Sequence, residues 1–218
     1  MLAFLENLFA FLGPSPHAAL AGGSFGGAEA AAPGYRFIGP AAVRRFLLSV
    51  GEVLREEGSL ESLYRRGAAA SPREALGRFL ARFRRAWGSG LAREREFLFP
   101  DPARGSACKR HNLFLRWMVR RGDGVDLGLW TALSPARLVV PLDTHVARLG
   151  RYLGLTARRA ADWRAAEEIT AALRAANPDD PLRYDYALAH LGIGGLCAVR
   201  GPRTCRACPL RPACRRAV

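Results

Sequence analysis

Residues 139–155 read VVPLDTHVARLGRYLGL, and Pro141 separates an apolar run from an amphipathic helix. Asp143 stands where a helix N-cap belongs, because its short carboxylate can accept from the unpaired N–H groups of the first turn. Val146, Leu149 and Leu153 then recur on one helical face. The same period extends outward from this stretch. Val43, Phe46, Leu47, Val50 and Leu54 form one such stripe, and Leu76, Phe79, Leu80, Phe83 and Trp87 form another behind the start signal Ser71-Pro72. A helix is predicted from Lys109 to Arg120, with Leu113, Phe114, Trp117 and Met118 as its apolar face. Further helices are expected across Ala160–Ala176 and from Leu182 toward Leu191. Gly- and Pro-containing joints separate them, and no alternating strand, heptad run or internal repeat is found. The expected fold class is all-α.

The 218 residues suit one medium domain or two small lobes, and half of them are apolar, enough for a core without disulfides. The 33 basic residues outweigh 19 acidic ones, giving a net charge of +14. That balance points to a polyanionic partner, nucleic acid being the usual one, although an arginine-rich surface also follows from a GC-rich genome. All but one of the basic residues are arginine; the single lysine is Lys109. Arginine replaces lysine wherever a fixed charge suffices, but not where an amine must lose its proton and attack.

The start, MLAFLENLFAFLG, lacks a basic n-region, is interrupted by Glu6 and is too short to span a bilayer. Leu2, Leu5, Phe9 and Leu12 share one face and read as core. The short lead-in is the pattern of a lobe truncated at its N-terminus. A soluble, cytoplasmic monomer with no membrane contact is the expectation.

Cys197, Cys205, Cys208 and Cys214 form the pattern C-x7-C-x2-C-x5-C within the last 22 residues. Thiolates this close can converge on one metal, and a reducing compartment has little use for disulfides. Zinc and a [4Fe–4S] cluster both accept four thiolates, so spacing alone does not choose.

The stretch GLCAVRGPRTCRACPLRPAC resembles the iron–sulfur loop of the endonuclease III and adenine-glycosylase families, with a first gap one residue longer. The resemblance favours [4Fe–4S] over zinc and implies that Arg200 and Arg203 offer positive charge to DNA phosphates. Leu142-Asp143-Thr144-His145-Val146-Ala147-Arg148 is similar to the V-D-T-H-[IV]-x-R form of the helix-hairpin-helix/Gly-Pro-Asp glycosylase superfamily. There the aspartate caps its helix and also supports cleavage of the N-glycosidic bond; without the resemblance, capping alone would explain Asp143. His145 reads as packing and Arg148 as DNA-facing.

Gly105-Ser106-Ala107-Cys108-Lys109-Arg110 matches the position of the superfamily hairpin L-P-G-V-G-x-K-T-A, whose lysine is the Schiff-base nucleophile of bifunctional members. The resemblance implies phosphate contacts from Gly105, Ser106 and Arg110, and catalysis by Lys109 and Asp143. Burial between apolar helices, with arginines close by, is the environment expected for a reactive Lys109. The bland alternative is a phosphate-binding or solvent-facing amine. Ala107 replaces the second hairpin glycine, and GDGVDLGLWTALS between Arg120 and Pro135 is absent from endonuclease III. This variant resembles, over residues 35–195, a bacterial family of unassigned substrate within the superfamily.

The resemblance implies a two-lobed helical glycosylase-like fold ending in an iron–sulfur loop. The expected regions are 1–104, a helical lobe; 105–195, the variant hairpin and catalytic aspartate; and 196–218, the four-cysteine loop. The implied function is base-excision repair of damaged or abasic double-stranded DNA at the nucleoid, by an N-glycosylase that is either monofunctional or bifunctional with lysine-dependent lyase activity. The alternative is a DNA-binding protein with a structural cluster and no chemistry. Cys108 reads as a spare buried thiol, Tyr184, Asp185 and Tyr186 as core and surface, and Trp87, Trp130 and Trp163 as core.

Overall fold

In the computed structural model, which describes residues 1–26, 32–197 and 205–215, the helical periods become ten α-helices, with no β-strand among the described residues. None of these helices is long and apolar enough to cross a membrane. The chain divides into two units, Met1–Asp101 and Pro102–Val218.

The first unit is built on α3 (Pro40–Glu57) and α5 (Pro72–Trp87). Ser71 starts α5 with a capping box: its side chain accepts from the Glu74 N–H while Glu74 accepts from the Ser71 N–H. Leu76, Phe79, Leu80, Phe83 and Trp87 are all buried, as their spacing predicts, and the Phe83 ring stacks on Phe99 at 5.3 Å. Shorter helices α1 (Leu2–Leu12), α2 (Pro16–Gly22), α4 (Leu60–Arg66) and α6 (Ala92–Leu98) complete the unit. Helix α2 lies close on α3: a Cβ at Gly51 would sit 2.1 Å from the Leu20 carbonyl oxygen, so only glycine permits the approach.

The expected core face of α1 is corrected. Leu12 is buried, but Leu2, Leu5 and Phe9 are exposed. The inward side carries Phe4, Leu8, Phe11 and Leu12, with Phe4 against Tyr35 and Phe11 against Phe25. The helix is apolar on nearly every side, so periodicity could not select the face.

The second unit contains α7 (Lys109–Val119), α8 (Thr144–Tyr152), α9 (Trp163–Ala176) and α10 (Asp185–Ile193). Val140, Val146, Trp163, Ile169 and Leu182 form its fully buried centre. The apolar run before Asp143 passes through this core without regular secondary structure. Its buried backbone is satisfied by a side chain, because the Val140 N–H donates to Thr170 Oγ1 at 3.0 Å.

The predicted face of α7 is also corrected. The buried residues are Asn112, Leu115, Arg116 and Val119, while Trp117 is exposed. Buried ion pairs override the apolar count. Arg116 Nε donates to Asp126 Oδ2 at 3.1 Å and its Nη1 to Asp185 Oδ2 at 2.7 Å. Arg120 donates to Asp126, to Asp123 at 2.6 Å and to Asp180 at 2.9 Å. The Asp126 side chain has no exposed surface. Asp123 accepts from the backbone N–H groups of Asp126 and Val125, which with Arg120 hold its carboxyl well below the usual carboxylate range.

The loop after α7 is thus bolted to that helix by two aspartates, Asp123 and Asp126. Asp126→Ala would leave both guanidiniums short of a buried partner. A loss of roughly 3–5 kcal/mol is expected by denaturant unfolding; a loss under about 1 kcal/mol would show that the pairs do not hold the loop.

Candidate functional site

The chain reaches α7 through a short 3-10 turn, Pro102–Arg104, and Gly105 at φ 91°. The Gly105 carbonyl accepts from the Trp163 N–H at 3.0 Å, fastening the turn to the start of α9. Ser106 Oγ accepts from the Cys108 N–H at 3.2 Å, and the buried Asn112 amide donates to the Ala107 carbonyl at 3.0 Å. Cys108 is buried, as read from the sequence, and occupies the left-handed region at φ 46° as the residue before α7. Its conformation is one that non-glycine residues seldom adopt. Lys109 is the first residue of α7, and Arg110 beside it is exposed.

Asp143 caps α8: its Oδ1 accepts from the Val146 N–H at 2.7 Å. Its other oxygen, Oδ2, lies 3.7 Å from Lys109 Nζ. The aspartate side chain is 14% exposed and the lysine side chain 48%, so the deep burial expected for Lys109 is not found. The amine instead stands on the wall of an open cleft of about 470 Å³, lined by Lys109, Leu142, Asp143, Thr144, His145, Ala161 and Ile193. One carboxylate oxygen is committed to the helix and the other faces the amine. Such a pair can hold or pass a proton at Nζ once a substrate enters the cleft.

His145 packs against α10 so closely that a Cβ at Gly192 would meet its Cβ at 2.4 Å. Arg148 Nη2 donates to the Cys197 carbonyl at 2.6 Å and lies 3.3 Å from His145 Nδ1. Arg148 therefore holds the start of the cysteine tail against α8. The far end is held too, because the Arg215 N–H donates to the Tyr152 carbonyl at 2.8 Å.

Cys197, Cys205, Cys208 and Cys214 are in no disulfide, so they suit a four-thiolate centre in kind. Cys205 and Cys208 share one turn, the Cys208 N–H donating to the Cys205 carbonyl at 3.3 Å. Among the described residues, no three His, Cys, Asp or Glu side chains gather as a metal centre. Arg200 and Arg203 lie outside the described residues.

Sequence reading did not single out Arg116 or Asp126, and it read Asp185 only as core or surface. Asp185 is 2% exposed, and burial pushes its carboxyl from 3.8 up to about 6; Arg116 opposes the rise and the Asp143 charge adds to it. The available signal was an arginine pair, Arg116 and Arg120, one helical turn apart within an apolar helix beside an aspartate-bearing glycine loop.

A family model described as a protein of unknown function, DUF2400, matches residues 1–194, a span that takes in Lys109, Asp143 and Asp185. The chain belongs to that family. The cysteine pattern, from Cys197 onward, lies beyond the matched residues of the DUF2400 model. No curated protein and no solved structure matches the chain.

Proposed function

We propose that this DUF2400 protein is a base-excision repair enzyme of the helix-hairpin-helix glycosylase superfamily, acting on damaged or abasic sites in the cell's double-stranded DNA. The observation that carries the proposal is the approach of the chain's only lysine to within 3.7 Å of a helix-capping aspartate, across 34 residues of sequence, at an open cleft. The net charge of +14 supports a phosphate-rich partner.

A damaged nucleotide turns out of the duplex into the cleft. As the base departs with its bonding electrons, the Asp143 carboxylate stabilises the oxocarbenium ion and accepts a proton from the attacking group. At an abasic site, the neutral Lys109 amine adds to the C1′ aldehyde carbon, and the carbinolamine expels water to give an imine. Loss of a C2′ proton then sends the C3′–O electron pair out with the phosphate and nicks the strand. Gly105, Ser106 and Arg110 flank the amine and supply phosphate contacts. Cys197, Cys205, Cys208 and Cys214 would hold a structural [4Fe–4S] cluster.

One observation favours a second reading. With Lys109 half-exposed and Asp143 already a cap, the same pair suits a DNA-binding module in which the amine grips phosphate.

Borohydride reduction of the protein on duplex DNA with one abasic site is expected to trap a covalent adduct that Lys109→Ala abolishes. No adduct, with DNA still bound, would remove the lyase step and leave either a monofunctional glycosylase acting through Asp143 or the binding module. Protein purified without air is expected to contain iron and acid-labile sulfide in equal amounts, with both lost in Cys208→Ser. Zinc without sulfide would indicate the other four-thiolate centre, and neither metal would remove the centre altogether.

A further inference from the structure

Asp185 opens α10 wholly buried, and only one of its oxygens is matched. Oδ2 accepts from Arg116 Nη1 at 2.7 Å, while Oδ1 has no hydrogen-bond partner among the described residues. The hydrogen-bonded cluster sets two guanidiniums, Arg116 and Arg120, against four carboxylates: Asp123, Asp126, Asp180 and Asp185. An asparagine at 185 could accept from Arg116 without burying a charge, so the fold alone does not demand the carboxylate.

The position of Asp185 relative to the cleft gives the charge a use. Helix α7 carries Lys109 at its first residue and Arg116 two turns later, so the Arg116–Asp185 bond ties the lysine's helix to α10. Ile193 at the end of α10 lines the cleft, and Gly192 packs against His145 of α8. The charged groups facing Asp185 are Arg116 and Arg120 from α7 and Asp143 from the start of α8. Asp126 of the loop shares Arg116, and Tyr186 and His190 stack on each other along α10 itself.

We infer that Asp185 is a positioning residue for the Lys109–Asp143 pair, bracing α7 through Arg116 and tuning the amine's reactivity by its own charge. The inference rests on reading that pair as the reactive centre. Burial raises the Asp185 carboxyl to about 6, so the expected switch from neutral to ionised falls near that pH. Ionisation completes the pair with Arg116 and so fixes α7, which holds Lys109 against Asp143 and slows its attack on a free reagent.

The single lysine makes this measurable without DNA. Lys109 is labelled with a small acylating reagent between pH 5 and 8, and its peptide is separated from the N-terminal one and quantified by mass spectrometry. In the wild type the rate should fall roughly threefold below the line extrapolated from low pH as pH rises past about 6. Asp185→Asn should give a straight line, and Asp180→Asn, which alters the same cluster at Arg120, should keep the wild-type break. A break that persists in Asp185→Asn would overturn the proposal, as would a wild-type profile with none. The wild-type profile suffices if Asp185→Asn does not fold. A break without trapping on abasic DNA would remove the lyase reading and keep the brace; trapping without a break would do the reverse.

Discussion

Two buried guanidiniums on one face of α7 govern the second unit. Arg116 and Arg120 cannot be buried without anionic partners, and the partners come from three separate places: the loop at Asp123 and Asp126, the turn at Asp180, and the start of α10 at Asp185. Satisfying them fixes the rotation of α7 about its axis and turns Trp117 outward. That rotation also sets where Lys109, at the first residue of the helix, meets Asp143. A buried ionic cluster is a costly way to fold a helix, but it gives a more definite orientation than an apolar stripe of Leu113, Phe114, Trp117 and Met118 would.

Much of the helical framework was legible in the sequence, for identifiable reasons. Helix α5 combines a five-residue apolar stripe with a Ser71 cap, and all five residues are buried. Asp143 was readable as a cap because a carboxylate after a proline-ended apolar run has few other local roles. Helices α2, α4 and α6, at seven residues each, are too short to show a period. The faces of α1 and α7 were misread for opposite reasons. Helix α1 has apolar residues on almost every side, whereas α7 buries charge that a hydrophobic count assigns to solvent. The pairing of Asp185, which reads only as core or surface, was hidden because its partner lies 69 residues away.

The candidate site joins two features that the sequence showed separately. A chain that uses arginine at every other basic position keeps one lysine at the first residue of α7, and a capping aspartate offers that lysine its uncommitted oxygen. Half-exposure of the amine suits a group that must meet a macromolecular substrate. The brace behind it, through Arg116 and Asp185, supplies the orientation that an exposed side chain lacks on its own. The cysteine tail, held against α8 by Arg148 at one end and by Tyr152 at the other, borders the same region of the fold.

The central claim is that Lys109 and Asp143 act as one chemical unit, and a double-mutant cycle on nicking of abasic duplex DNA tests it most directly. Rates would be compared for the wild type, Lys109→Ala, Asp143→Asn and the double variant. The account predicts strong non-additivity, with the double variant no slower than Lys109→Ala alone, because groups that act together are lost together. Losses that multiply, or an undiminished Lys109→Ala rate, would contradict it.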